Sequence, residues 1–212
     1  MEQAVSFPRL LGASVAKTFR ARHPAAVLCH RYKVAYFPIP KVASSTVKRL
    51  FAILDGRPAE GNPHFDIDLD YVSARDLQIA YADYHTFTIV RNPWDRLVSC
   101  YTDKIAGLSS DPDFTGRHDI HSGFLRYNRL SGRRIFSKGM SFTEFVSAVS
   151  WIPDLVAYEH FRSQYRMFTA PSGQSLAQTI IRFEDLPASL DELLSHHGAP
   201  PLRDTRRNST AR

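Results

Sequence analysis

The chain has 212 residues, 43% of them apolar and 23% charged, which fits one soluble domain that buries a core without disulfides or a structural metal. A formal charge of +6 suits an anionic partner such as a nucleotide, an acidic sugar or a membrane surface, and is too small an excess to require nucleic acid. Cys29 and Cys100 match neither a zinc pattern nor a redox pair, so buried reduced thiols are expected, and no apolar run reaches the length of a membrane span.

In chain order, residues 1–30 carry Arg9, Lys17, Arg20 and Arg22 against the single acid Glu2. They read as an N-terminal helical segment with an amphipathic surface face; Leu10 to Ala16, broken by Gly12, makes a poor secretory core. Val34 to Ile39 is β-rich and reads as a buried strand running into a proline-bounded loop. Beyond that loop Val47, Leu50, Phe51 and Leu54 recur on one helical face, and Asp55-Gly56 ends the helix. Gly61-Asn62-Pro63 marks a loop, and Ser73 with Asp76 starts a helix that reaches about Tyr81. Thr86 to Val90 is a second strand, followed by a helix with Pro93 in its first turn and Leu97, Val98, Tyr101 and Ile105 inward.

Residues 107–140 have no sustained period and read as an irregular insertion, a candidate lid over the acceptor. Helices are expected over 141–149 and 156–168, and a third strand over Thr179 to Phe183. A last helix carries Leu190, Leu193 and Leu194, and residues 200–212 form a loose basic tail. Strands alternating with helices predict an α/β fold, a parallel sheet flanked by helices, in a single domain spanning 1–212. Such sheets bind ligands at the carboxyl ends of their strands.

Two motifs lie at such ends. Pro40-Lys41-Val42-Ala43-Ser44-Ser45-Thr46 is a strand–loop–helix junction of small residues. There a helix offers unpaired N–H groups to an anion, three hydroxyls add donors and Lys41 adds charge. A serine-capped helix with a surface lysine reads the same residues equally well. Thr88 to Tyr101 places Arg91 at the end of a strand and Ser99 two turns into the next helix. An arginine fork suits phosphate, although Arg91, Asp95 and Arg96 also fit a surface ion network. Both motifs in one short chain favour a nucleotide bearing two anionic groups.

The pair closely resembles the signatures by which the Golgi-type carbohydrate sulfotransferases and their bacterial relatives bind PAPS (3′-phosphoadenosine 5′-phosphosulfate). Tyr158 to Gln164 and Ile181 to Leu186 resemble further segments of bacterial members, so the likeness spans about residues 34–195. The resemblance implies a P-loop NTPase-like sulfotransferase fold and transfer of a sulfuryl group from PAPS to an acceptor hydroxyl, with a carbohydrate acceptor. By the same resemblance Lys41 contacts the 5′-phosphosulfate and acts on its leaving oxygen. Val42, Ala43, Ser44, Ser45 and Thr46 line that phosphosulfate, and Arg91 and Ser99 hold the 3′-phosphate. His64 stands where members carry a catalytic base, ahead of His85 and the carboxylates Glu60, Asp66 and Asp68. A bacterial-type cytoplasmic protein is implied, or else the catalytic domain of a Golgi enzyme.

A P-loop kinase would share the fold but needs G-x-x-x-x-G-K-[ST], whereas here the lysine comes first and no glycine lies between Lys41 and Thr46. A transferring sulfuryl group carries less charge than a phosphoryl group, so fixed cations serve in place of a metal, and no metal is expected. A non-catalytic anion- or glycan-binding relative is the remaining alternative.

Overall fold

The computed structural model describes residues 24–106, 122–137 and 139–202. The strands are β1 (Ala25–Cys29), β2 (Val34–Phe37), β3 (Tyr71–Ser73), β4 (His85–Val90) and β5 (Thr179–Arg182). The helices are α1 (Ser44–Leu54), α2 (Ala74–Ala80), α3 (Pro93–Lys104), α4 (Ser122–Ser131), α5 (Phe142–Ser150) and α6 (Ala188–His196). These elements fall into two compact units: a sheet unit made of the described residues of 22–92 and 164–212, and a helical unit made of the described residues of 93–163.

The sheet unit holds a five-stranded sheet in the order β3-β1-β2-β4-β5. Its parallel part is β2, β4 and β5, with Phe37 level with Thr88 and Val90 level with Arg182. All four residues of β2 are buried, as a strand covered on both faces requires. Tyr36 stacks on Phe87 at 5.2 Å, and Phe51 of α1 meets both rings edge-on. The expected apolar face of α1 is confirmed, since Val47, Leu50, Phe51 and Leu54 are all buried. Thr88 Oγ1 donates to the Phe37 carbonyl at 2.9 Å and ties the carboxyl ends of β2 and β4 together.

Two strands are antiparallel additions to the parallel sheet. β1 pairs with both β2 and β3, so the last residues of the expected 1–30 helical segment are extended; positions 1–23 lie outside the described residues. A turn over His30–Lys33 folds β1 back, with Lys33 at φ 49°. Asp55, just past α1, clamps this turn by accepting from the N–H groups of His30 and Arg31 at 3.1 and 2.9 Å. The Cys29 thiol also donates to Asp55, and burial, reinforced by that carboxylate, pushes its pKa up to about 12. Cys29 is therefore an inert thiol; both cysteines are buried and neither is in a disulfide.

At the opposite, amino-terminal edge of the parallel strands, His85 Nε2 lies 2.8 Å from Thr179 Oγ1 and its ring packs 4.8 Å from that of His197. Burial, then the nearby His197, lowers the His85 pKa; burial, then His196, lowers that of His197. A depressed histidine leaves the unfolded chain binding protons more readily. The stability it contributes is whole above the ordinary range near about pH 6.5 and is lost as pH falls through the folded value. Thermal melts should show the midpoint falling modestly between about pH 7.5 and 5, and a His85→Asn/His197→Asn double variant should flatten that slope.

The helical unit packs Phe124, Phe136, Phe145, Tyr127 and Ile105 around Cys100. Its aromatic pairs are mostly tilted or edge-on, with Phe124 and Phe136 at 5.0 Å. A reciprocal capping box between Ser141 and Glu144 starts α5, one residue inside the expected helix.

Four expectations change here and at the tail. Within the expected 107–140 insertion, residues 122–131 form α4, because Phe124 and Tyr127 seat on one face in the aromatic core; 107–121 and 138 lie outside the described residues. The helix expected over 156–168 gives way to short 3-10 turns at Asp154–Val156 and Gln164–Met167. The intervening carbonyls of Glu159 and Arg162 are taken by the buried Arg96 guanidinium at 2.6 and 2.7 Å, and that of Ala157 by Arg162 Nε. On α3 Val98 is exposed, and Arg96 with Cys100 takes the inward position. The tail begins docked: the Leu202 N–H donates to Asp191 at 2.8 Å, and 203–212 lie outside the described residues.

Candidate functional site

The site is built in the sheet unit at the carboxyl ends of the parallel strands, where β4 and β5 end level and β2 ends two residues earlier. Beyond β2 the chain turns through Lys41 at φ 67° and Ala43 at φ 53°, a left-handed conformation that non-glycine residues adopt sparingly. Ala43 is the N-cap of α1 and supplies no side-chain cap. The serine-capped reading of this junction therefore does not hold. The first turn of α1 also carries no acid, so its leading N–H groups and the helix dipole present positive potential at the end of β2. Of the loop side chains, Val42 is packed in the core and Ser44 is buried, Lys41 and Ser45 are half-buried, and Thr46 is exposed. Val42 can therefore serve a ligand only through its backbone.

Arg91 follows β4, and its Nη1 donates to the Lys41 carbonyl at 3.4 Å, which brings the two motifs together. Gln164 fixes Arg91 from both sides: its Oε1 accepts from the Arg91 N–H at 2.9 Å, and its Nε2 donates to the Arg91 carbonyl at 2.8 Å. The guanidinium stacks 4.7 Å from the centre of the Phe183 ring, just past β5. Next to it the Asn92 N–H donates to Glu184 at 2.9 Å, and that bond holds the Glu184 carboxyl below its ordinary range. Gln164 and Glu184 both lie in the later segments that the sequence singled out, and here they are seen to brace the Arg91 turn.

His64 is carried to α1 by the loop of Asn62 and Pro63. The Asn62 side chain accepts from the His64 N–H at 2.9 Å, and the ring is exposed. Nε2 of His64 lies 3.2 Å from Ser45 Oγ, and Nδ1 lies 3.3 Å from the ammonium of Lys48. His85 stands at the other edge of the sheet, five residues before Val90 along β4. Asp66 accepts from the Asn62 N–H at 2.6 Å, and Asp68 approaches Arg57 at 3.8 Å.

Ser99 is a half-buried residue of α3 in the helical unit. Arg96 on the same helix does not build a surface network; it is buried, and burial pushes its pKa down to about 10. Sequence reading missed Lys48, whose signal was its position three residues after Ser45 and four after Ser44, on their helix face.

Lys41, the uncapped turn of α1, Lys48 and Arg91 fit a ligand with more than one anionic group. Among the described residues no group of three His, Cys, Asp or Glu side chains is placed to hold a metal ion, and no helix is long and apolar enough to cross a membrane.

Comparison with known proteins agrees with this chemistry. Carbohydrate sulfotransferase 10 of Pongo abelii is 28% identical over 136 residues, which cover 56% of this chain and 36% of that protein. The Homo sapiens protein of that name is 27% identical over the same shares, and carbohydrate sulfotransferase 9 of Homo sapiens is 29% identical over 55% of this chain and 28% of its own length. The matched region thus spans about a third of these curated relatives, and no solved structure matches the chain. The model of the sulfotransferase family matches residues 24–211, nearly the whole sequence, and the chain belongs to that family.

Proposed function

We propose that the protein transfers a sulfuryl group from PAPS to a hydroxyl of a carbohydrate acceptor, without a metal. The observation that carries this reading is the Arg91–Lys41 contact, which joins the two donor motifs at the carboxyl edge of the parallel strands. PAPS supplies the activated sulfuryl group. The carbohydrate acceptor is supported by the names of the relatives, and the donor by family membership.

Each residue has a role in an in-line displacement. His64 accepts the acceptor's proton at Nε2 as the new bond to sulfur forms. Lys41 and the leading N–H groups of α1 neutralise the charge that the departing phosphate oxygen acquires. Ser44, Ser45 and Thr46 hold the 5′ end through their hydroxyl and N–H groups. Arg91 takes the 3′-phosphate, as does Ser99 by the family resemblance, and Gln164 keeps the Arg91 backbone from turning away.

Calorimetry with PAP, the desulfonated product, tests the donor assignment. PAP should bind much more tightly than ADP, AMP or ATP with magnesium, and EDTA should not change its affinity. Arg91→Ala should weaken PAP by about 1.5–3 kcal/mol, the scale of a charge-assisted contact. Equal affinity for PAP and ADP would remove the 3′-phosphate from the reading.

A further inference from the structure

Lys48 is the buried lysine of the described residues, only 6% exposed. It lies on α1 one turn beyond Ser44 and Ser45. Its ammonium meets the His64 Nδ1 at 3.3 Å and faces the Tyr71 ring at 5.4 Å. No carboxylate pairs with it among the described residues. A cation stripped of water and given only a neutral nitrogen and an aromatic face retains most of its desolvation cost, and an arriving anion would relieve it.

The contact also fixes a proton. An ammonium has hydrogens to give and no lone pair, so Nδ1 of neutral His64 must be the acceptor. The ring's single proton then sits on Nε2, the nitrogen 3.2 Å from Ser45 Oγ on the phosphosulfate loop. A general base at that loop needs a lone pair on Nε2, not a proton. The free protein therefore holds His64 in the form that cannot act.

We infer that Lys48 is a positioning residue that locks His64 as its Nε2–H tautomer and releases it when a donor's 5′-phosphate draws the ammonium off Nδ1. On release Nε2 gives one proton to water and Nδ1 takes one up, so the ring stays neutral and its lone pair turns to the loop. Lys48 thereby makes the base competent only once the donor is in place. The inference rests on the reading of His64 as the base and of the loop as the phosphosulfate site.

The test is the tautomer itself, read by two-bond 15N–1H correlation on protein carrying 15N-labelled histidine. His64 is assigned by the signal lost in His64→Ala, and spectra are taken at about pH 8.5, above the ordinary histidine range. In the free parent chain Nε2 should give the N–H-type signal. With saturating PAP that signal should move to Nδ1. Lys48→Met should let the Nδ1–H form grow beside the Nε2–H form in the free state and show a smaller change with PAP, while Lys48→Arg, which keeps a donor, should restore the parent pattern. A free parent chain with its proton on Nδ1, or an Nε2–H signal that neither Lys48→Met nor PAP alters, would overturn the proposal. Should Lys48→Met not fold, the parent spectra with and without PAP decide alone. Failure of PAP to bind at all would refute the donor reading and the release with it; the lock is judged separately, by comparing the free parent with Lys48→Met.

Discussion

His64→Ala is expected to lower sulfuryl transfer by about 100- to 10,000-fold, the usual worth of a positioned general base. The residue is exposed and held by its N–H to Asn62 Oδ1, so the loop keeps that bond when the ring is removed. Its loss opens no cavity in the core, and the melting temperature should stay near that of the parent chain. PAP affinity should not fall, because removing the ring leaves the Arg91 corner untouched and frees Ser45 and Lys48 for the donor. In the parent chain transfer should decline as pH falls through the histidine range, since a protonated ring has no lone pair to accept the acceptor's proton. Near-normal turnover in His64→Ala would move the base to one of the nearby carboxylates. Asp66 is the first to examine, although the Asn62 N–H already engages it.

Lys41→Ala is expected to reduce turnover by about a hundredfold or more with a smaller change in PAPS affinity. The asymmetry follows from when the charge appears. In the bound donor the bridging oxygen is shared between sulfur and phosphorus; as the sulfur–oxygen bond breaks, that oxygen takes up negative charge and an ammonium beside it gains most. The substitution leaves the turn its other supports. Arg91 bonds the Lys41 carbonyl, not the side chain, and alanine meets the same left-handed φ that lysine does. Single-turnover measurements separate binding from transfer, and full activity in this variant would sink the mechanism. A loss confined to PAPS affinity would make Lys41 a ground-state binding group only.

The core of the sheet unit was legible because its signals are local. Val34 to Phe37 and Thr86 to Val90 are apolar runs of strand length, and Val47, Leu50, Phe51 and Leu54 mark one helix face. The Ser73 cap was equally plain, its side chain accepting from the Asp76 N–H as the spacing implies. Signals faded where distant partners decide the backbone. Glu159 and Arg162 sit in a stretch with helical spacing, yet the buried Arg96 takes their carbonyls and the chain stays irregular. Ala25 to Cys29 is too short and too small in its residues to declare itself, and becomes a strand because β2 and β3 flank it.

The candidate site divides in the same way. From the sequence alone came the two donor motifs, the membership they imply, and the position of His64 between them, since each depends on residue types at fixed spacing. The tertiary structure decided which groups meet. The parallel register of β2 and β4 brings Arg91 onto the Lys41 carbonyl, and Gln164, 73 residues further on, clamps that corner. The left-handed turns at Lys41 and Ala43 leave the first turn of α1 without a side-chain cap, a conformation that no residue there announces. Only the packing of the Pro63 loop against α1 sets His64 against Ser45 and a buried Lys48, because the environment that desolvates a lysine is assembled from residues far apart in the chain.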